Sequence, residues 1–136
     1  MLKQKIEAYG IKHLLHLPSY IRDEDLPTVY GLASVVVFPS VYEGFGLPVL
    51  VGMACGAPVI TFNVSSLPEV TGGAAVLVDH ASPEQLSDAM GAVLTSASLR
   101  ASLAERGRRR AQLFNWGATA HATLRVYERA YTQCHM

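Results

Sequence analysis

A single carboxylate set beside glycines is where this sequence first offers chemistry. Glu43 is followed by Gly44, Phe45, Gly46, Leu47 and Pro48, just after the apolar run 35–38. An acid on a loop between a buried strand and a helix can accept hydrogen bonds from the hydroxyls of a neutral polyol. Gly44 and Gly46 let the main chain come close to the same guest. The N–H groups of residues 46–49 open a helix, so they are expected to be free and to carry the positive end of its dipole, which suits phosphate. Together these features describe a site that holds a polyol with a carboxylate and an anion with amides, the two halves of a nucleotide diphosphate sugar. For the glycine loop taken alone the plainer reading is preferred: a tight turn, with Glu43 pointing at water.

Other reactive side chains are weaker candidates. Glu69, after Pro68, begins a short helical segment, where a carboxylate is equally explained by the helix dipole. His16 and His80 have no placed partner, and neither is read as an acid or base. Arg106, Arg108, Arg109 and Arg110 could grip phosphate or an anionic membrane, but with Glu105 beside them on an amphipathic helix a solvated face is the default. Trp116 is expected to plug the core beneath the last helix, with Asn115 as its N-cap. The two cysteines, Cys55 and Cys134, fit no metal or disulfide framework, and Cys55 reads as a small buried hydrophobe.

These residues need a frame, and the spacing of apolar side chains supplies one. Short β-branched runs alternate with longer segments of helical period, the pattern of an α/β, Rossmann-like parallel sheet flanked by helices. About four strands are expected, over 13–17, 35–38, 58–62 and 75–78. The run 35–38 is Val-Val-Val-Phe and is read as a central strand buried on both faces. Helices are expected over 2–9, closed by Gly10, and over 26–33, with Asp23, Glu24 and Asp25 at its positive end. Another is expected over 48–55 with Gly56 at its C-cap, and a short one from Pro68. The next begins at the N-cap Ser82 with Pro83 first, and buries Leu86, Ala89, Met90, Val93 and Leu94 on one face. Helices over 98–113 and 117–131 complete the chain.

A length of 136 residues has room for a single domain, here 1–136. Half the residues are hydrophobic, 16% are charged and the mean hydropathy is +0.23, which excludes disorder. Eleven basic and eleven acidic residues cancel, so no bulk field draws in nucleic acid or an anionic membrane, and an anionic ligand must be held by local geometry. No apolar run reaches the roughly 18 residues of a spanning helix and the charged N-terminus lacks a signal-peptide pattern, so a cytoplasmic location is expected.

The stretch from Phe38 to Leu50, FPSVYEGFGLPVL, and then Gly52 to Ile60, GMACGAPVI, closely resembles the retaining glycosyltransferases of family 4, which have the two-domain GT-B fold. The likeness runs on through Leu67-Pro68-Glu69-Val70 and Val76-Leu77-Val78-Asp79 to Phe114-Asn115-Trp116. Nearly the whole chain resembles the donor-binding C-terminal domain of that family. The resemblance implies that Glu43 contacts the hydroxyls of the donor sugar and that Gly44, Phe45, Gly46, Leu47 and Pro48 lie against the sugar and diphosphate. It places Glu69 near the donor pocket. It also implies a nucleotide diphosphate sugar as substrate, with no further cofactor and no metal.

Four departures from the family pattern matter. The second glutamate, eight positions after the first and expected to hold the ribose, is Val51 here. Losing such a partner costs about 1.5–3 kcal/mol, roughly ten- to a hundredfold in affinity. Gly52 stands where alanine is expected and weakens the helix by about 0.5–1 kcal/mol. Ser65 and Ser66 stand where the family often has glycines, either crowding the sugar or supplying hydroxyls. At the front, two strand and helix units with an Arg and Lys pair for the diphosphate are missing, as is an acceptor domain, and Lys3, Lys5 and Lys12 do not match that pair. The chain thus reads as an N-terminally truncated, partial GT-B domain, without activity on its own and peripheral to a membrane in its longer parent.

In the strand order 3-2-1-4-5-6 the missing strands fall between 13–17 and 35–38. An open edge on an apolar strand invites pairing. Either residues 13–17 move in beside 35–38, with 26–33 as a right-handed crossover, or two chains form a dimer, which the apolar composition favours slightly. Two functions follow: a donor-binding glycosyltransferase domain, or a non-catalytic remnant acting as a self-associating or partner-binding module, which Val51 favours.

Overall fold

The computed structural model describes residues 2–79 and 82–134. Its centre is a parallel sheet of three strands in the order β1-β2-β3, with β1 at Val36–Phe38, β2 at Val59–Phe62 and β3 at Val76–Val78. The register pairs Val37 with Ile60 and Thr61 with Leu77. Helices follow in chain order: α1 Leu2–Ala8, α2 Leu26–Leu32, α3 Leu47–Ala54, α4 Leu67–Thr71, α5 Pro83–Thr95, α6 Ala97–Ala111 and α7 Trp116–Cys134.

β2 alternates its side chains between two packed layers. Val59 packs with Val49 and Met53 of α3 and with Leu67 and Val70 of α4. Ile60 and Phe62 pack with Val78, with Val93 of α5 and with Leu103 of α6. Thr61 is fully buried, and its hydroxyl donates to the Phe38 carbonyl at 2.7 Å, so no polar group is stranded in the sheet. α6 lies close on α3 because Gly107 has no side chain: a Cβ there would stand 3.3 Å from Met53 Cβ. Gly52 follows the same logic, since a Cβ would stand 3.3 Å from Val59 Cγ2. The helix propensity lost at Gly52 is exchanged for contact with the sheet.

Local signals hold where they are chemical. Ser82 accepts from the Gln85 amide at 3.1 Å and Asn115 Oδ1 from the Ala118 amide at 2.7 Å, so both expected N-caps are made. Gly10 and Gly56 adopt positive φ just past the ends of α1 and α3.

Five expectations fail, the slightest at Leu94, which α5 leaves 46% exposed instead of burying. Residues 13–17 form no strand: Lys12–Leu14 make one 3-10 turn and the stretch after it is exposed. A strand is stable only with a neighbour and a surface to bury against, and this segment finds neither, so the sheet has three strands and the proposed shift beside β1 does not occur. β1 is an edge strand, half-buried along its length, while β2 takes the centre. Three valines mark a strand but cannot say how many neighbours it has. Trp116 is 81% exposed instead of plugging the core. Cys55 is half-buried.

Candidate functional site

β1 and β2 are parallel neighbours, so the loops that leave them emerge at the same end of the sheet, where ligands of open α/β folds sit. Residues 39–46 lead from β1 into α3 and residues 63–66 lead from β2 into α4. The two loops are bonded to each other through Glu43. Its N–H donates to Ser65 Oγ at 3.0 Å and its carbonyl accepts from Ser66 Oγ at 3.0 Å. Ser66 Oγ also reaches the Phe45 carbonyl at 2.9 Å. The half-buried Glu43 carboxylate accepts from Ser40 Oγ at 2.7 Å through Oε1, which leaves Oε2 without a partner among the described residues.

Beyond Glu43 the main chain is open. The N–H groups of residues 44–47 have no acceptor among the described residues, whereas Val49 and Leu50 both donate to the Gly46 carbonyl, at 3.0 and 3.2 Å. The free donors therefore lie at 44–47, two residues earlier than the sequence-based expectation of 46–49, because Gly46 closes the first turn of α3. Gly46 makes that turn at φ 100°, and a Cβ on it would come within 2.6 Å of Leu67 Cδ2. Nothing lies within 4 Å of the corresponding point at Gly44, so the loop is open on that side.

Behind the loop, Phe45 meets Phe114 edge to face with ring centroids 5.8 Å apart. The Arg110 guanidinium lies 4.9 Å from the Phe114 centroid. Its donors go to the carbonyls of Val70 and Glu69, at 3.0 and 2.6 Å, at the C-terminal end of α4. Arg106 donates to Gly73 O at 2.8 Å, and Arg109 pairs with Glu105. Two of the four arginines thus bind α4 and the turn after it to α6, a structural use that a solvated face does not describe.

The remaining candidates are scattered. Pro48 sits in the first turn of α3, and Leu47 and Val51 lie one helical turn apart on its exposed side. Glu69 is exposed on the first turn of α4, with no side-chain partner among the described residues, and its carbonyl serves Arg110. His16 is exposed outside any strand, and His80 lies outside the described residues. A recess of about 170 Å³ opens beside the loop between Phe45, Leu47, Leu50, Phe114 and Trp116. A larger concavity of about 480 Å³ is bounded only by α7 residues and encloses nothing. Among the described residues no three His, Cys, Asp or Glu side chains lie close enough to hold a metal ion. Sequence reasoning gave no role to Ser40 or Phe114, and for Arg110 it preferred a solvated face. The hydroxyls of Ser65 and Ser66 bond the neighbouring loop.

The family model for glycosyl transferases group 1 matches residues 1–110 of this chain. The chain belongs to that family. Among curated members, the O-antigen chain mannosyltransferase B of Escherichia coli is 41% identical over 128 residues, 94% of this chain and 34% of that protein. The glycosyltransferase fold is repeated in solved structures. Sucrose-phosphate synthase from Thermosynechococcus elongatus superposes with a TM-score of 0.86 at 30% identity, over 97% of this chain and 34% of its own. Anabaena Alr3699/HepE, solved in complex with UDP and glucose, gives a TM-score of 0.85 at 19% identity, over 94% of this chain and 35% of its own, and speaks for the fold alone. This group 1 chain spans about a third of the length of the relatives it matches. No helix among its described residues is long and apolar enough to cross a membrane.

Proposed function

We propose that the paired loops at the ends of β1 and β2 bind a nucleotide diphosphate sugar, and that the chain is the donor-holding part of an enzyme that transfers the sugar with retention at the anomeric carbon. The observation that carries this reading is the run of unpartnered amides at 44–47 adjoining a carboxylate with one uncommitted oxygen. In the proposed complex Glu43 Oε2 accepts from a sugar hydroxyl, and the amides and the positive end of α3 face the diphosphate. As the bond from the anomeric carbon to the diphosphate oxygen breaks, charge grows on that oxygen, where fixed amide dipoles stabilise it without reorganising. The cation tied to the loop through Phe114, Arg110, already serves two carbonyls. Affinity therefore depends on amide geometry and is modest for this chain alone. No metal takes part in this scheme. The mannosyltransferase relative makes mannose the first sugar to try, with guanosine and uridine both tried as the base.

Transfer also needs a wall that holds the acceptor, and we place that wall outside this chain. The chain exposes 9658 Å², whereas a compact protein of 14.7 kDa exposes about 6,900 Å². The excess, about 2,700 Å², is on the scale of a permanent interface. It includes Trp116, Leu124, Val126 and Tyr127 of α7. The chain alone is then a binder without transfer activity. The second reading, a module that works by association with a copy of itself, is favoured by Val51 and by the outer edge of β1, which pairs with no strand among the described residues. Sedimentation showing only monomer at high concentration removes it.

Calorimetry with guanosine diphosphate and its mannose derivative tests the donor site. Glu43→Ala is expected to weaken the sugar-bearing ligand by about ten- to a hundredfold while the bare diphosphate binds as before. An equal loss for both ligands, or no loss for either, contradicts a sugar-binding role for Glu43.

A further inference from the structure

We propose that Ser40, Ser65 and Ser66 are positioning residues that set Glu43 and the amides of residues 44–47 in their ligand-ready arrangement before any ligand arrives. The proposal deepens the donor-site reading above and rests on it for its functional meaning, but its geometry is independent of that reading. Glu43 is held at three of its four polar atoms, by a different serine at each: the N–H by Ser65, the carbonyl by Ser66 and carboxylate oxygen Oε1 by Ser40.

Ser66 has the largest consequence. Its hydroxyl lies 3.0 Å from the Glu43 carbonyl and 2.9 Å from the Phe45 carbonyl, with one proton to share between them. In a trans peptide the carbonyl and the following N–H point in opposite directions, and no peptide bond described here is cis. Drawing the Glu43 and Phe45 carbonyls towards Ser66 therefore turns the N–H groups of Gly44 and Gly46 away from it, on the same side as each other. Both amides are thereby presented on the side of the loop away from Ser66, as donors open to an anion. The open space at Gly44 leaves them accessible. One hydroxyl contributed by the neighbouring loop thus aims the donors that the site depends on.

Ser65 and Ser40 complete the arrangement. Ser65 is the one non-glycine residue with positive φ among those described, at 47°. L-residues avoid that conformation, yet here it accompanies the bond from the Glu43 N–H to the Ser65 oxygen. A glycine would relax the backbone and lose the acceptor. Ser40 occupies Oε1, so Glu43 presents Oε2 to a guest as a single acceptor in a fixed direction.

The test uses the whole chain, isotope-labelled, with Ser66→Ala, Ser66→Thr and Ser65→Gly, read first without ligand. In the unaltered protein the backbone order parameters of Gly44 and Gly46 are expected near about 0.85; in Ser66→Ala they fall towards about 0.6 while the β2 core signals stay put, and Ser66→Thr restores them. Ser65→Gly is expected to lose hydrogen-exchange protection at the Glu43 amide with the fold intact, which keeps the test open if Ser66→Ala does not fold. Titration with guanosine diphosphate then shows about tenfold weaker binding in Ser66→Ala and recovery in Ser66→Thr. Unchanged order at 44 and 46 in Ser66→Ala, or retained protection at Glu43 in Ser65→Gly, overturns the proposal. Loss of loop order in a protein that never binds nucleotide overturns the donor-site reading and leaves the positioning role standing.

Discussion

Helices α3 and α7 are both well supplied with apolar residues, yet α3 buries Val49, Gly52 and Met53 while α7 buries none of its residues. The difference lies in what faces them. α3 lies against the sheet and against α6, and two glycines, Gly52 and Gly107, remove the side chains that would hold these surfaces apart. α7 leaves Trp116, Leu124, Val126 and Tyr127 in solvent, and the N-terminal segment leaves Leu14, Leu17 and Tyr20 there as well. An apolar side chain is buried only where a matching surface exists. The proposed donor site is anchored to the buried half of the molecule by the close approach of Gly46 to Leu67 and by the bonds between Glu43 and Ser65 and Ser66.

The comparison can be broken most severely at the centre. Met53→Ala, which opens a cavity between α3 and α6, is expected to cost about 2–5 kcal/mol, read as a lower midpoint in urea. A cost near zero would mean that α3 is no better packed than α7. Gly46→Ala sets a Cβ at positive φ against Leu67 and is expected to cost about 1–3 kcal/mol in the same assay. Val51→Glu sharpens the contrast on the exposed side of α3: nucleotide affinity is expected to rise about tenfold, with stability unchanged, if the ribose lies there. No gain would place the ribose elsewhere. The smallest effect is expected at α7, where Trp116→Ser and Tyr127→Ser should each stay within about 0.5 kcal/mol of the parent. A loss well above that would show α7 docked in solution.

Much of the buried half was legible in the sequence because its signals are local. The β-branched runs marked β1 and β2, the serine and asparagine caps marked α5 and α7, and Glu43 with its glycines marked the loop. What failed depended on neighbours. Residues 13–17 have the apolar content of a strand but no partner, and β1 has the composition of a central strand but a neighbour on one side only. Trp116 is apolar, yet it is left exposed. The contacts of Ser65 and Ser66 with Glu43, 22 and 23 residues away in the chain, arise only because parallel strands bring two loops to one end, which no local pattern records.

The proposed donor site is tested most directly by following the backbone amides of the labelled chain by NMR during titration with guanosine diphosphate mannose. Shifts concentrated at residues 43–47, saturating at millimolar ligand or below, are the predicted result. Silence there at saturating ligand, or shifts centred on α7 instead, would contradict it.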